Sequence, residues 1–264
     1  MKFSIILFFI GTITQAQNKI EVISKYIERE PTNYFHYYNR AIANYEIKRY
    51  TDAIIDIEDA IRYFDENNNK KLSELYNLKG LALSGNNDDQ EAAQSYIMSF
   101  QLDDNNTGSL NNLGSLFIKR KQYNYAEKYL LQAIKIHPNN NFANGNLARL
   151  YSKTGKLDKA MKYIEMLFKP QVDEEVGRKN IGNKFTTRGF IHYKKYKLDE
   201  ALNDLNRAIK LNSLDFDAYM YRGLVFLKMK LYKKACKDFQ KAERRSENEF
   251  NKNDINELIT KHCN

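Results

Sequence analysis

The chain has 264 residues, 42% of them hydrophobic, with three prolines, eleven glycines and no strand-like alternation, a balance that argues for helices with enough apolar content to bury a core. Its 42 Lys and Arg against 33 Asp and Glu leave a net charge of +9. That charge favours acidic partners, nucleic acid or anionic membrane surfaces and disfavours carboxylate-rich metal sites such as those for calcium.

Residues 1–16 stand apart. Lys2 precedes an almost wholly apolar run from Phe3 to Ile13, and Thr14-Gln15-Ala16 ends on a small residue before the polar stretch that opens at Gln17. That is the layout of a cleaved secretory signal, and the run is shorter than the ~20 apolar residues a spanning helix needs. The expected product is exported, periplasmic or secreted, with no integral membrane segment after cleavage. Export in turn argues against a nucleic-acid partner. Residues 17–33 then place Ile20, Ile23 and Ile27 at helical spacing, so Asn18 to Glu30 is expected as a lone helix capping the helices after it.

From Tyr34 the chain repeats itself. Small residues recur at Ala41, Gly80, Gly114, Ala148, Gly189 and Gly223, in steps of 39, 34, 34, 41 and 34 residues. Ala53, Ala92, Ala126, Ala160, Ala201 and Ala235 repeat those steps, and Ala60, Ser99, Ala133, Leu167, Ala208 and Ala242 repeat them again. Three ladders in one register define six units, 34–67, 73–106, 107–140, 141–174, 182–215 and 216–249, with insertions near Asn68 to Leu72 and near Glu175 to Ile181. Each unit reads as a helix hairpin. A small residue where two helices cross lets their backbones approach, and each hairpin leaves an outer apolar stripe for the next to cover. Residues 250–264 close the array, with Ile255, Leu258 and Ile259 on a polar-backed helix over Asp254 to His262.

The spacing and residue types resemble the tetratricopeptide repeat family. Leu110, Leu113, Gly114, Phe117, Ala126, Leu130 and Pro138 occupy its pattern in the third unit, and Tyr219, Arg222, Gly223, Phe226, Ala235 and Phe239 do so in the sixth. The first unit fits through Tyr37, Arg40, Ala41, Ala53 and Ile57, with Asn44 where the family prefers an aromatic. The resemblance implies an all-α right-handed superhelix, an α-solenoid, acting as a non-catalytic scaffold whose first helices line a concave groove for a protein or peptide. Projected onto this sequence, the groove positions are Asn111, Asn112, Ser115 and Lys119, then Asn146, Arg149 and Lys153. The later units contribute Thr187, Phe190 and Lys194, then Tyr221, Leu224 and Lys228. Asparagine amides pair with both N–H and C=O of an extended chain, and Lys and Arg hold carboxylates, so an acidic peptide suits such a groove. The set of two Lys, one Arg and two Asn that clamps C-terminal carboxylates is not at the family's positions, so a receptor for chaperone tails is not implied.

Other chemistry finds little footing. His36, His137, His192 and His262 share no metal-ligand spacing, and no Gly-rich phosphate loop occurs. The runs Asp65 to Asn69 and Asp103 to Asn106 lack the spaced ligands of a calcium loop and read as turn formers. No catalytic residue, metal or cofactor is therefore expected. Lys119, Lys153, Lys194 and Lys228 also have a structural use, since the C-terminal end of a helix favours a cation by ~0.3–1 kcal/mol. The alternative to a groove binder is a basic structural or surface-associating envelope protein that meets anionic glycan or lipid. Finally, Cys236 follows ladder residue Ala235 on a face that the closing helix covers, and Cys263 lies four residues after Ile259 on that helix's apolar stripe. In an oxidising compartment the pair is expected to bridge.

Overall fold

The computed structural model describes the backbone of residues 2–168, 178–245 and 249–263, and the side chains of residues 15–168, 182–245 and 252–263. Among the described residues there are fourteen helices and no strand, and the chain divides into two units after Pro138. No helix among the described residues is long and apolar enough to cross a membrane.

In the first unit α1 (Lys2–Arg29) packs on α2 (Tyr34–Glu46), which pairs with α3 (Tyr50–Arg62). Two further hairpins follow, α4 (Asn69–Gly85) with α5 (Asp89–Leu102) and α6 (Thr107–Lys119) with α7 (Tyr123–Ile136). Successive hairpins stack through α3 on α4 and α5 on α6. The helix expected over Asn18 to Glu30 is the second half of a longer one, because neither proline, glycine nor a cap interrupts the chain between Ala16 and Asn18.

The second unit repeats the plan with α8 (Asn141–Lys153) and α9 (Leu157–Met166), α10 (Arg178–Lys194) and α11 (Leu198–Leu211), and α12 (Phe216–Lys228) and α13 (Tyr232–Glu243). Here α10 packs on α8, α9 and α12, and α14 (Glu249–His262) covers α13. The closing helix thus begins five residues before the expected Asp254. Part of the insertion near Glu175 to Ile181 lies outside the described residues, and its described part opens α10. Helices α4 and α10 are 17 residues long, against 13 in α2, α6, α8 and α12. Both insertions therefore border the N-terminal end of a lengthened first helix and leave the crossing point untouched.

The ladders are the contact points of the hairpins. Ala53, Ala92, Ala126, Ala160, Ala201 and Ala235 are all fully buried. A Cβ placed on Gly114 would lie 2.5 Å from Leu130 Cγ, so only glycine fits that crossing. Ser99 stands where the third ladder otherwise prefers alanine; its Oγ donates to the Ser73 carbonyl at 2.8 Å, and Ser73 Oγ donates to the Ser99 carbonyl at 2.7 Å. Each hairpin turns at one left-handed residue, Lys48, Asn87, Lys121, Gly155, Tyr196 or Lys230, in the same steps as the ladders. First helices start at side-chain caps: Asn33, Asn68, Asn106, Asn140 and Asp215 each accept a hydrogen bond from a first-turn amide. Two of the Asn/Asp runs are thereby accounted for as helix starts.

Three hairpins share a charged lock that joins their two helices. Arg40 reaches Asp56, Arg188 reaches Asp204 and Arg222 reaches Asp238, each across 16 residues and each with the carboxylate buried. The guanidinium uses Nε and Nη2 together; for Arg188 the two bonds are 2.8 and 2.7 Å. Asn44 joins the first lock, its Nδ2 donating to Asp56 Oδ2 at 2.9 Å, which accounts for a polar residue at an otherwise aromatic position. The matching places hold Leu113 and Tyr129 in the third hairpin and Leu147 and Tyr163 in the fourth.

Candidate functional site

A groove of about 530 Å³ lies wholly within the second unit, between the first helices α8, α10 and α12 and the end of α9. Its geometry is set by polar ties between those helices. Asp215 caps α12 by accepting from Ala218 N at 3.0 Å, and its other oxygen accepts from Thr186 Oγ1 of α10 at 2.6 Å. On the opposite side Lys184 Nζ donates to the Leu167 carbonyl at 3.1 Å, tying α10 to the residue that follows α9. Phe190 and Tyr221 stack across α10 and α12 with ring centroids 4.3 Å apart, forming an aromatic shelf. Phe142, 69% exposed, stands at the α8 side.

Charge in the groove is mixed. Arg149 and Asp217 remain reachable by solvent, yet protein flanks them on several sides. Loss of solvent lowers the Arg149 guanidinium, against the opposing pull of the Asp217 and Tyr221 charges. Asp217 is raised by loss of solvent and by the neighbouring Asp215 carboxylate, with Lys153 and Arg149 pulling the other way. Burial also raises the Tyr221 phenol above its ordinary range. Together with the amides of Asn141, Asn146 and Asn183, the lining offers donors and acceptors for an extended chain, a cation for a carboxylate and an aromatic surface for an apolar side chain.

The sequence-derived positions divide between the two units. Asn146, Arg149 and Lys153 on α8, Thr187 and Phe190 on α10 and Tyr221 on α12 all line the groove. Lys194, Leu224 and Lys228 do not. Lys194 and Lys228 instead lie over the rings of Phe190 and Tyr196, at 5.3 and 5.5 Å from the centroids. In the first unit Asn111, Asn112, Ser115 and Lys119 lie on α6. Asn112 Nδ2 donates to Asn77 Oδ1 of α4 at 3.0 Å, and Lys119 forms a 3.0 Å ion pair with Asp89 of α5, so these two side chains brace neighbouring helices. That unit has a separate hollow between α1 and α2, lined by Val22, Ile23, Tyr26 and Phe35 among others, which includes none of the expected positions.

Phe142, Asp215 and Asp217 are lining residues that sequence reasoning missed. Asp215 carries the signal of a helix cap, and Asp217 precedes Tyr221 by one turn on the stripe already used for binding positions. The disulfide partners are together: Cys236 and Cys263 sulfurs are 2.11 Å apart, joining α13 to α14.

Comparison with known proteins gives the same repeat. A family model described as TPR repeat matches residues 189–230, and one described as tetratricopeptide repeat matches residues 117–178. No curated protein matches the sequence. Among solved structures, a tetratricopeptide repeat protein from Parabacteroides merdae superposes with a TM-score of 0.72 at 17% identity, covering 96% of this chain and 98% of that one. A chain of the APC/C hetero-tetramer Cut9–Hcn1 gives 0.75 at 16% identity over 90% of this chain, which spans only 45% of that chain's length. YrrB, described as a TPR protein with an unusual peptide-binding site, gives 0.50 at 18% identity, covering 75% of this chain and 96% of that one. At these identities the likeness is one of fold.

Proposed function

Since the chain carries tetratricopeptide repeats, an architecture typical of protein-interaction scaffolds, we propose that it is an exported, non-catalytic adaptor that binds a peptide segment of a partner in the groove of its second unit. The observation that carries this reading is the Phe190–Tyr221 shelf set beside Arg149 and the Asn146 amide in one groove. An aromatic or branched side chain of the ligand fits the shelf, a carboxylate fits Arg149 and Lys153, and Asn146 serves the main chain. Export is supported by the short apolar run and Thr14-Gln15-Ala16.

Selection from a displayed peptide library, followed by titration of the selected peptides, tests the reading. Ligands combining an aromatic with an acidic residue are expected, and Asn146→Ala/Arg149→Ala and Tyr221→Ala should each weaken them at least tenfold. Selected peptides indifferent to both variants would refute the groove. N-terminal sequencing of native material tests export, with a start at Gln17 expected and a start at Met1 contradicting it.

A further inference from the structure

The excess positive charge belongs to the second unit. Residues 139–264 hold 26 Lys and Arg against 16 Asp and Glu, whereas residues 1–138 hold 16 against 17. Within the second unit the excess gathers at the turns between the two helices of a hairpin. Residues 194–198 read KKYKL and residues 228–234 read KMKLYKK, seven lysines with no acid among them. These turns are neighbours, since Lys228 Nζ lies 5.5 Å from the Tyr196 ring centroid. The α8/α9 hairpin joins the same edge through the 2.7 Å ion pair of Asp158 with Lys195. The middle turn of the first unit differs, running Asn86-Asn87-Asp88-Asp89.

Apolar side chains stand among the lysines. Tyr196 is 74% exposed, Tyr232 53% and Leu231 39%. Tyr196 also takes left-handed backbone, φ 58°, at the place where the preceding hairpin has Gly155. A bulky aromatic is disfavoured in that conformation, and with most of its surface in water it recovers little packing in return. The Lys228 ammonium over its ring offsets only part of that cost, so stability of the fold does not by itself account for tyrosine at that place.

We propose that this edge of the second unit docks on an anionic lipid surface, with the turn lysines at the headgroup phosphates and Tyr196, Leu231 and Tyr232 at headgroup depth. A soluble polyanion needs only the lysines. Aromatic and leucine side chains interleaved with them, on turns, match a boundary that is charged on one side and apolar on the other. The edge is formed by residues other than the groove's aromatic shelf, so it stands or falls independently of peptide binding.

Sedimentation of the full chain with phosphatidylcholine vesicles, with and without phosphatidylglycerol, is the test. Binding is expected only to the anionic vesicles and should weaken as salt rises. Each lysine near such a surface contributes roughly fivefold in affinity, so Lys197→Glu/Lys230→Glu/Lys233→Glu should lower binding about 100-fold or more. Tyr196→Gly, which suits the backbone, should weaken vesicle binding severalfold while the thermal melt holds or rises. The same charge change in the first unit, Lys48→Glu/Arg49→Glu/Lys121→Glu, should alter binding less than twofold, with circular dichroism checking that each variant is folded. Equal losses in the two triple variants would reduce the effect to net charge and overturn the proposal. So would equal binding to neutral vesicles, or a Tyr196→Gly protein that binds anionic vesicles as the parent does. Dextran sulfate bound as tightly as the anionic vesicles would also overturn it, in favour of a soluble-polyanion site.

Discussion

At the level of single residues, the Arg–Asp locks are the features whose removal the fold should tolerate least. In the last hairpin the buried Asp238 carboxylate accepts from Arg222 Nε at 2.6 Å and Nη2 at 2.8 Å. Taking away one partner of such a pair strands the other, at a cost of about 3–5 kcal/mol, whereas replacing both by packed apolar groups is often neutral. Asp238→Ala should therefore lower denaturant stability strongly, while Arg222→Leu/Asp238→Tyr, the pairing that the third and fourth hairpins use, should stay within about 1 kcal/mol of the parent. A double variant as weak as the single would mean that the lock cannot be exchanged for packing. His192 supplies a pH handle in the α10/α11 hairpin. Burial lowers its imidazole below the ordinary value of 6.5, outweighing the nearby Asp204 carboxylate. The folded state thus binds this proton less readily than the unfolded state does. The contribution is intact above pH 6.5 and is lost as pH falls towards the lowered value. Denaturant midpoints at pH 7.5 and 5.5 should converge in His192→Gln relative to the parent; an unchanged difference would assign the pH effect to other groups.

At the level of helices, close crossings and a pinned end set the tolerance. Gly114→Ala puts a methyl group 2.5 Å from Leu130 Cγ in a fully packed place, and overpacking of this kind costs about 1–3 kcal/mol. Shortening Leu130 to Ala in the same chain should remove that added penalty, and a melt showing simple additivity would contradict the assigned contact. Helix α14 lays Ile255 on Phe239 and Ala242 of α13, and the Cys236–Cys263 bridge closes a sequence separation of 27 residues. Loop closure of that size contributes about 3 kcal/mol, so Cys236→Ser/Cys263→Ser should speed amide exchange across Glu249–His262 and leave α10 to α12 as before. The helices themselves were legible because the crossing residues must be small, and that requirement leaves a mark every 34 residues, or 39 and 41 across the two insertions, whatever the protein binds. The groove was legible only in part. A stripe projected along first helices finds Asn146, Arg149, Phe190 and Tyr221, but it cannot see that Lys119 has Asp89 beside it or that Lys228 leans over Tyr196. It also misses Phe142 and Asp217, whose place in the lining depends on how α8, α10 and α12 converge.

At the level of the whole molecule, three hairpins and an end helix on each side of Pro138 give two bodies with different surfaces, and the groove belongs entirely to the second. In a repeat fold, stability is a sum over units and their neighbour contacts, and about three repeats with a closing helix suffice for a folded array. Residues 139–264 meet that requirement through α8 to α13 and α14. They also contain the ties described for the groove: the bonds of Thr186 to Asp215 and of Lys184 to the Leu167 carbonyl, and the stack of Phe190 on Tyr221. The fragment 139–264 should accordingly be helical by circular dichroism, unfold cooperatively and bind any peptide selected on the full chain within about threefold of the parent affinity, because it retains the whole of the proposed groove. The fragment 1–138, with Asn112 and Lys119 engaged by Asn77 and Asp89, should not bind it. Isothermal titration of both fragments with one peptide decides the matter: a folded 139–264 fragment that fails to bind would place part of the recognition on residues before Asn139, whereas binding by the 1–138 fragment would move the site to α6 and its neighbours.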